Sequence, residues 1–127
     1  MALMLATMTT PQKVNAVRAV LSEDLRRKPY KDHPNLMVGH CYHASEALYH
    51  LLGGAEAGWA AVRGAHSGIV HWWIQNTKTA ERLDPTADQF DFTWPYECGQ
   101  LRRGFLTQRP SQRAREVLQR LVTLNKV

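Results

Sequence analysis

The stretch Gly39-His40-Cys41-Tyr42-His43-Ala44-Ser45-Glu46-Ala47-Leu48 decides how this chain is read. Ala44, Ala47, Leu48, Leu51 and Leu52 recur at helical spacing, and Gly53-Gly54 stops the run. The spacing predicts a helix over 41–52 with a cysteine in its first turn. Cys41, Ala44 and Leu48 share one face, which sets the thiol at the inward edge of the helix start. His43 and His50 fall on the other side and are expected to be exposed or half-exposed.

Two later stretches answer this helix. Ile69-Val70-His71-Trp72-Trp73-Ile74 is apolar on both faces and reads as a central strand holding one histidine. Arg82-Leu83-Asp84-Pro85-Thr86 reads as a short strand ended by an aspartate. Strands are expected at 58–65, 68–75 and 79–84, with a turn at Asn76-Thr77-Lys78. A hairpin of that length brings His71 and Asp84 side by side.

Cysteine, histidine and aspartate in this order can activate a nucleophile. A thiol attacks well only as thiolate, and helix N-termini and neighbouring imidazolium groups favour that form. His71 can hold the thiolate as an ion pair and then protonate a leaving group. Asp84 can fix the tautomer and orientation of the ring. Gly39 lets the backbone turn and a substrate approach, and the Cys41 N–H is a candidate oxyanion donor. His40, Asn35 and Gln75 are the candidates for a second donor. Trp72 and Trp73 point to opposite faces of their strand. One of them, with Trp59 or Trp94, is a candidate wall of a substrate groove beside Gly39 and His40, although core packing is the commoner use of any single tryptophan.

These residues resemble the transglutaminase-like branch of the papain-like cysteine protease superfamily. The resemblance rests on Cys41 opening its helix, His71 with Trp73 as His-x-Trp, and Leu83-Asp84-Pro85-Thr86, and it covers about 34–89. It implies an α+β fold with the helix packed on a small antiparallel sheet. It also implies thiol-based acyl transfer on a protein, peptide or other amide substrate, by hydrolysis, deamidation or cross-linking. Cys41, His71 and Asp84 would be the catalytic residues. The chain is much shorter than full transglutaminases and shows no calcium loops or extra domains.

Blander readings stand beside this one. A lone cysteine is most often a small buried hydrophobe, His71 could be a satisfied core histidine, and Asp84 could simply open the Pro85-Thr86 turn. Their joint presence sets catalysis ahead. His40, Cys41, His43 and His50 match no closed four-ligand zinc spacing, and Cys98 is distant, so no metal or other cofactor is expected.

The rest of the chain frames this core. At 127 residues it is expected to be one domain, 1–127, able to bury a core without staples. Its two cysteines make no disulfide framework, which suggests a reducing, cytoplasmic setting. The apolar opening is too short to span a bilayer, so 1–9 are expected to form a loose arm, and no membrane partner is expected. Thr10-Pro11 is expected to start a first helix that runs to about 26–29. A last helix should begin at Pro110-Ser111 and bury Ala114, Val117, Leu118, Leu121 and Val122. The net charge of +5 permits an anionic partner. Arg102, Arg103, Arg109, Arg113, Arg115 and Arg120 concentrate it, usually a sign of a solvated helix face. The rival to the enzyme is therefore a non-catalytic binding module on the same core, with these arginines contacting nucleic acid or an acidic partner.

Overall fold

The computed structural model describes residues 5–102, 105 and 109–124. Three helices, α1 (Thr10–Ala19), α2 (Cys41–Leu51) and α3 (Gln112–Leu124), accompany four strands, β1 (Trp59–His66), β2 (Ile69–Asn76), β3 (Arg82–Leu83) and β4 (Gln100–Arg102). The strands form one antiparallel sheet in the order β3-β2-β1-β4. The fold is α+β. Among the described residues no helix is long and apolar enough to cross a membrane.

The β1–β2 hairpin turns through Ser67 and Gly68, both with positive φ, the geometry that matches strand twist in two-residue hairpins. Its register pairs Trp59 with Asn76 at one end and His66 with Ile69 at the other. Because side chains alternate, the two sheet faces bury different sets. Ala61 and Ile74 face the helices, in a cluster with Val17, Ala44, Leu48, Val117 and Leu121. Val62 and Trp73 face away, under Trp94, Phe90 and Tyr96 from the segment after β3.

Helix α2 is the centre of the helical layer, packed on α1, α3 and β2. Seven consecutive residues, His43 through Tyr49, are buried. His43 therefore departs from the half-exposed position expected of it. The helix is enclosed on several sides, and its polar groups are satisfied locally: Ser45 Oγ donates to Trp72 O at 3.2 Å, and Glu46 accepts from Ser111 N at 2.7 Å and Ser111 Oγ at 2.6 Å.

Four boundaries differ from the sequence expectation. Thr9, not Thr10, caps α1, in a reciprocal capping box with Gln12. Helix α1 ends at Ala19, and two single 3-10 turns follow at Glu23–Leu25 and Lys28–Tyr30. Within the expected arm, Leu5–Thr7 form a further 3-10 turn and Leu5 packs against the helical core, while residues 1–4 lie outside the described residues. Strand β3 keeps only Arg82–Leu83, because Asn76 Oδ1 accepts from the backbone N–H groups of Lys78 and Thr79 and winds that segment into a wider turn. In α3 the expected stripe is buried at Ala114, Val117 and Leu121, but Val122 is exposed.

Candidate active site

A buried arginine shapes the approach to Cys41. Arg26 donates to the carbonyls of Tyr30, His33 and Asn35 and pairs with Glu23, so the loop before Gly39 is wound around one guanidinium. Gly39 then takes φ +89°, and a Cβ there would lie 2.7 Å from Tyr30 Cβ. Both the dihedral and the contact require glycine. The turn delivers Cys41 as the first residue of α2, partly exposed.

The first turns of α2 run along the edge of β2. Strand β3 covers only Ile74 and Gln75 of that edge. The Ser45 hydroxyl takes the Trp72 carbonyl just beyond it. This uncovered edge lets the start of the helix approach His71, whose side chain lies on the sheet face opposite the main helical core.

His71 is fully buried, and its Nε2 lies 2.6 Å from Asp84 Oδ2. Its other nitrogen, Nδ1, completes no hydrogen bond among the described residues. Three aromatic rings enclose the imidazole: Phe90 edge-on at 4.8 Å between centroids, Trp94 at 5.1 Å and Trp73 at 5.5 Å. Burial works against the charged ring. The hydrogen bond to Asp84 and then the nearby Cys41 sulfur outweigh it, and the His71 pKa is pushed up to about 9.

Asp84 is held in turn. Its Oδ2 accepts a second hydrogen bond, at 2.8 Å, from the Tyr96 hydroxyl, and its Oδ1 accepts from Thr86 N. Burial and then the Asp84 charge raise the Tyr96 pKa, so the phenol stays a donor. Arg82 covers the Tyr96 ring at 3.7 Å. Arg18 of α1 ties down the following turn by donating to Pro85 O and pairing with Asp88. Tyr96 was not foreseen, because nothing in its spacing ties it to Asp84.

Cys41 borders a groove of about 1080 Å³. Gly39 and Trp72, two of the four expected substrate-contacting residues, also line it. His40 and Trp73 lie apart from this lining. Trp73 is on the far sheet face, 1 % exposed. His40 is equally buried, and its Nδ1 sits 2.6 Å from His43 Nε2. Burial lowers the His40 pKa to about 4, with Arg26 adding to the effect. Burial, then the charges of His40, Arg113 and Arg27, lower that of His43 to about 3, so both rings are neutral at pH 7. Asn35, a candidate second oxyanion donor, has its amide engaged by Asp88 O and Met37 N. Gln89, which lines the groove with a buried and unpartnered Oε1, was not foreseen.

The arginines at the end of the chain do more than solvate a helix. Arg120 donates to Val20 O and pairs with Asp24 and Glu116, and Arg113 Nε donates to Leu25 O at 2.8 Å. Arg115 is exposed, and Arg103 lies outside the described residues. No protein-family model, curated protein or solved structure matches the chain.

Proposed function

We propose that the chain is a thiol-dependent acyl-transfer enzyme with a papain-like, transglutaminase-like core, in which Cys41 is the nucleophile, His71 the acid and base, and Asp84 the group that orients His71. The observation that carries this reading is the arrangement around His71. Asp84 holds one ring nitrogen, the other is unpartnered, and the Cys41 sulfur at the groove is close enough to favour the charged imidazole. Titratable groups that are buried beside a specific charge partner and next to a cleft cluster at functional sites.

The chemistry follows from that geometry. The Cys41 thiolate adds to an amide or thioester carbonyl bound in the groove, giving a tetrahedral oxyanion. The Cys41 backbone N–H, at the start of α2, is the available donor to that oxygen. His71 gives its proton to the departing amine or thiol as the carbonyl re-forms, leaving an acyl-thioester on Cys41. Water or an incoming amine then attacks the thioester. His71 takes the proton from that nucleophile, and Cys41 leaves as thiolate. Asp84 keeps Nε2–H directed at itself, so Nδ1 is the nitrogen that exchanges protons.

The test uses p-nitrophenyl acetate as a generic acyl donor. The expected result is a burst of nitrophenolate, an acetyl adduct on Cys41 trapped by acid quenching, and loss of both in Cys41→Ala. Asp84→Asn should slow acylation by roughly 10²–10⁴-fold. Cys41 acylation no faster than that of a free thiol, or unchanged in Asp84→Asn, would remove the basis of the reading.

A further inference from the structure

The charges that line the Cys41 groove are unequally partnered. Its two carboxylates, Asp24 and Glu116, are both held by Arg120, at 2.6 Å and 3.0 Å. Two arginines, Arg27 and Arg113, also line the groove, and neither pairs with a carboxylate among the described residues. Arg113 is anchored through Nε to Leu25 O, which fixes the guanidinium while its terminal nitrogens stay uncommitted among the described residues. Arg27 is exposed. Both arginines line the same groove as Cys41 and His43, and both charges are felt at His43, two positions from Cys41. His43 itself is neutral there, and Glu46 beneath it is occupied by Ser111. The groove also has an apolar part: Ile69 and Val70, 40 % and 41 % exposed, line it together with Trp72 and Phe90.

We propose that Arg27 and Arg113 form a carboxylate subsite in the Cys41 groove, so that the preferred substrate is a peptide carrying an acidic group close to the reacting carbonyl, with apolar side chains against Ile69, Val70 and Trp72. This proposal rests on the acyl-transfer reading for its chemistry, but the subsite is defined by the groove alone. A guanidinium fork suits a carboxylate because its donors match the two oxygens. Two guanidinium groups and an apolar patch in one groove give a bound peptide both charged and apolar contacts beside the thiol.

The test compares chloroacetyl-capped tripeptide amides, Ala-Glu-Ala and Ala-Gln-Ala, with Ala-Ala-Ala ending in a free carboxylate. Modification of Cys41 is followed by peptide mapping, which separates it from Cys98. The Glu peptide, or the free-carboxylate peptide, should alkylate Cys41 roughly three- to tenfold faster than the Gln peptide at low salt, the range that two partly exposed ion pairs supply. Whichever acidic peptide is faster identifies a side-chain or a terminal carboxylate as the ligand. The advantage should shrink at high salt and fall towards unity in Arg27→Gln combined with Arg113→Lys. The Arg27 side chain makes no hydrogen bond among the described residues, and a lysine at 113 keeps a donor for Leu25 O, so these changes spare the fold. Arg27→Glu should reverse the preference in favour of Ala-Lys-Ala. Equal rates for all peptides overturn the subsite. The comparison is a ratio on one thiol, so it is read even if Cys41 reacts as slowly as a free thiol, in which case the enzymatic reading fails and the subsite does not. Calorimetric binding of the acetyl-capped peptides gives the same comparison should Cys41 resist alkylation, and equal affinities there also overturn it.

Discussion

The Tyr96 hydroxyl donates to the same Asp84 oxygen, Oδ2, that holds His71 Nε2. One oxygen thus serves a phenol at 2.8 Å and an imidazole at 2.6 Å. Each donor draws on the same lone-pair density, so the phenol moderates the hold of Asp84 on the ring.

Tyr96→Phe should therefore raise the pKa of His71 further, since Oδ2 would then serve the imidazole alone. The fold should lose about 0.5–1.5 kcal/mol, the net worth of one hydrogen bond. NMR titration of the His71 ring in the variant checks this; an unchanged or lower midpoint would show that Tyr96 only packs.

The alkaline side of the stability curve should depend on His71. Its folded pKa is raised to about 9, against about 6.5 in the unfolded chain. The folded state thus binds the proton more tightly. The stabilisation is fully present below about pH 6.5 and is lost as pH rises through 9, and it amounts to at most about 3 kcal/mol. Urea unfolding between pH 6 and 10 should show this decline in the parent and a flatter profile in Asp84→Asn.

The acid side should depend on the buried pair His40 and His43. Their folded pKa values are lowered to about 4 and about 3, so the unfolded chain binds two protons that the folded chain refuses. Stability should fall as pH drops below about 6.5, with a slope approaching about 2.7 kcal/mol per pH unit for the two groups. His43→Gln should reduce the slope towards half. An identical slope in that variant would assign the acid limb to carboxylates instead.

Glu46→Ala should detach the start of α3. The carboxylate is fully buried and receives both the N–H and the hydroxyl of Ser111. Removing it leaves these donors without their partner, at a cost of about 1–3 kcal/mol. Glu46→Gln, which keeps one acceptor oxygen, should lose less. Hydrogen exchange should show the first turn of α3 opening more often in Glu46→Ala than in Glu46→Gln.

Periodicity and turn chemistry carried much of the fold. The short apolar, β-branched and aromatic runs at 58–65 and 68–75, parted by Ser67-Gly68, mark strands, and Gly53-Gly54 stops α2 because few other residues take left-handed dihedrals cheaply. The juxtaposition of His71 and Asp84 was equally legible, since one strand, a turn and the next strand bring those positions side by side. Only the tertiary structure decided the rest. The burial of His43 follows from α2 being enclosed by neighbouring elements, and its local pattern carries no trace of that enclosure. Arg26 becomes a core residue because carbonyls from Tyr30 to Asn35 converge on it. Tyr96 reaches Asp84 because the chain after β3 folds back over the outer sheet face. Arg120 meets Asp24 across 96 positions of sequence, and that pairing leaves Arg27 and Arg113 without a carboxylate partner among the described residues. Local rules act over a few residues, whereas these charges and hydrogen bonds find their partners only once distant segments are packed together.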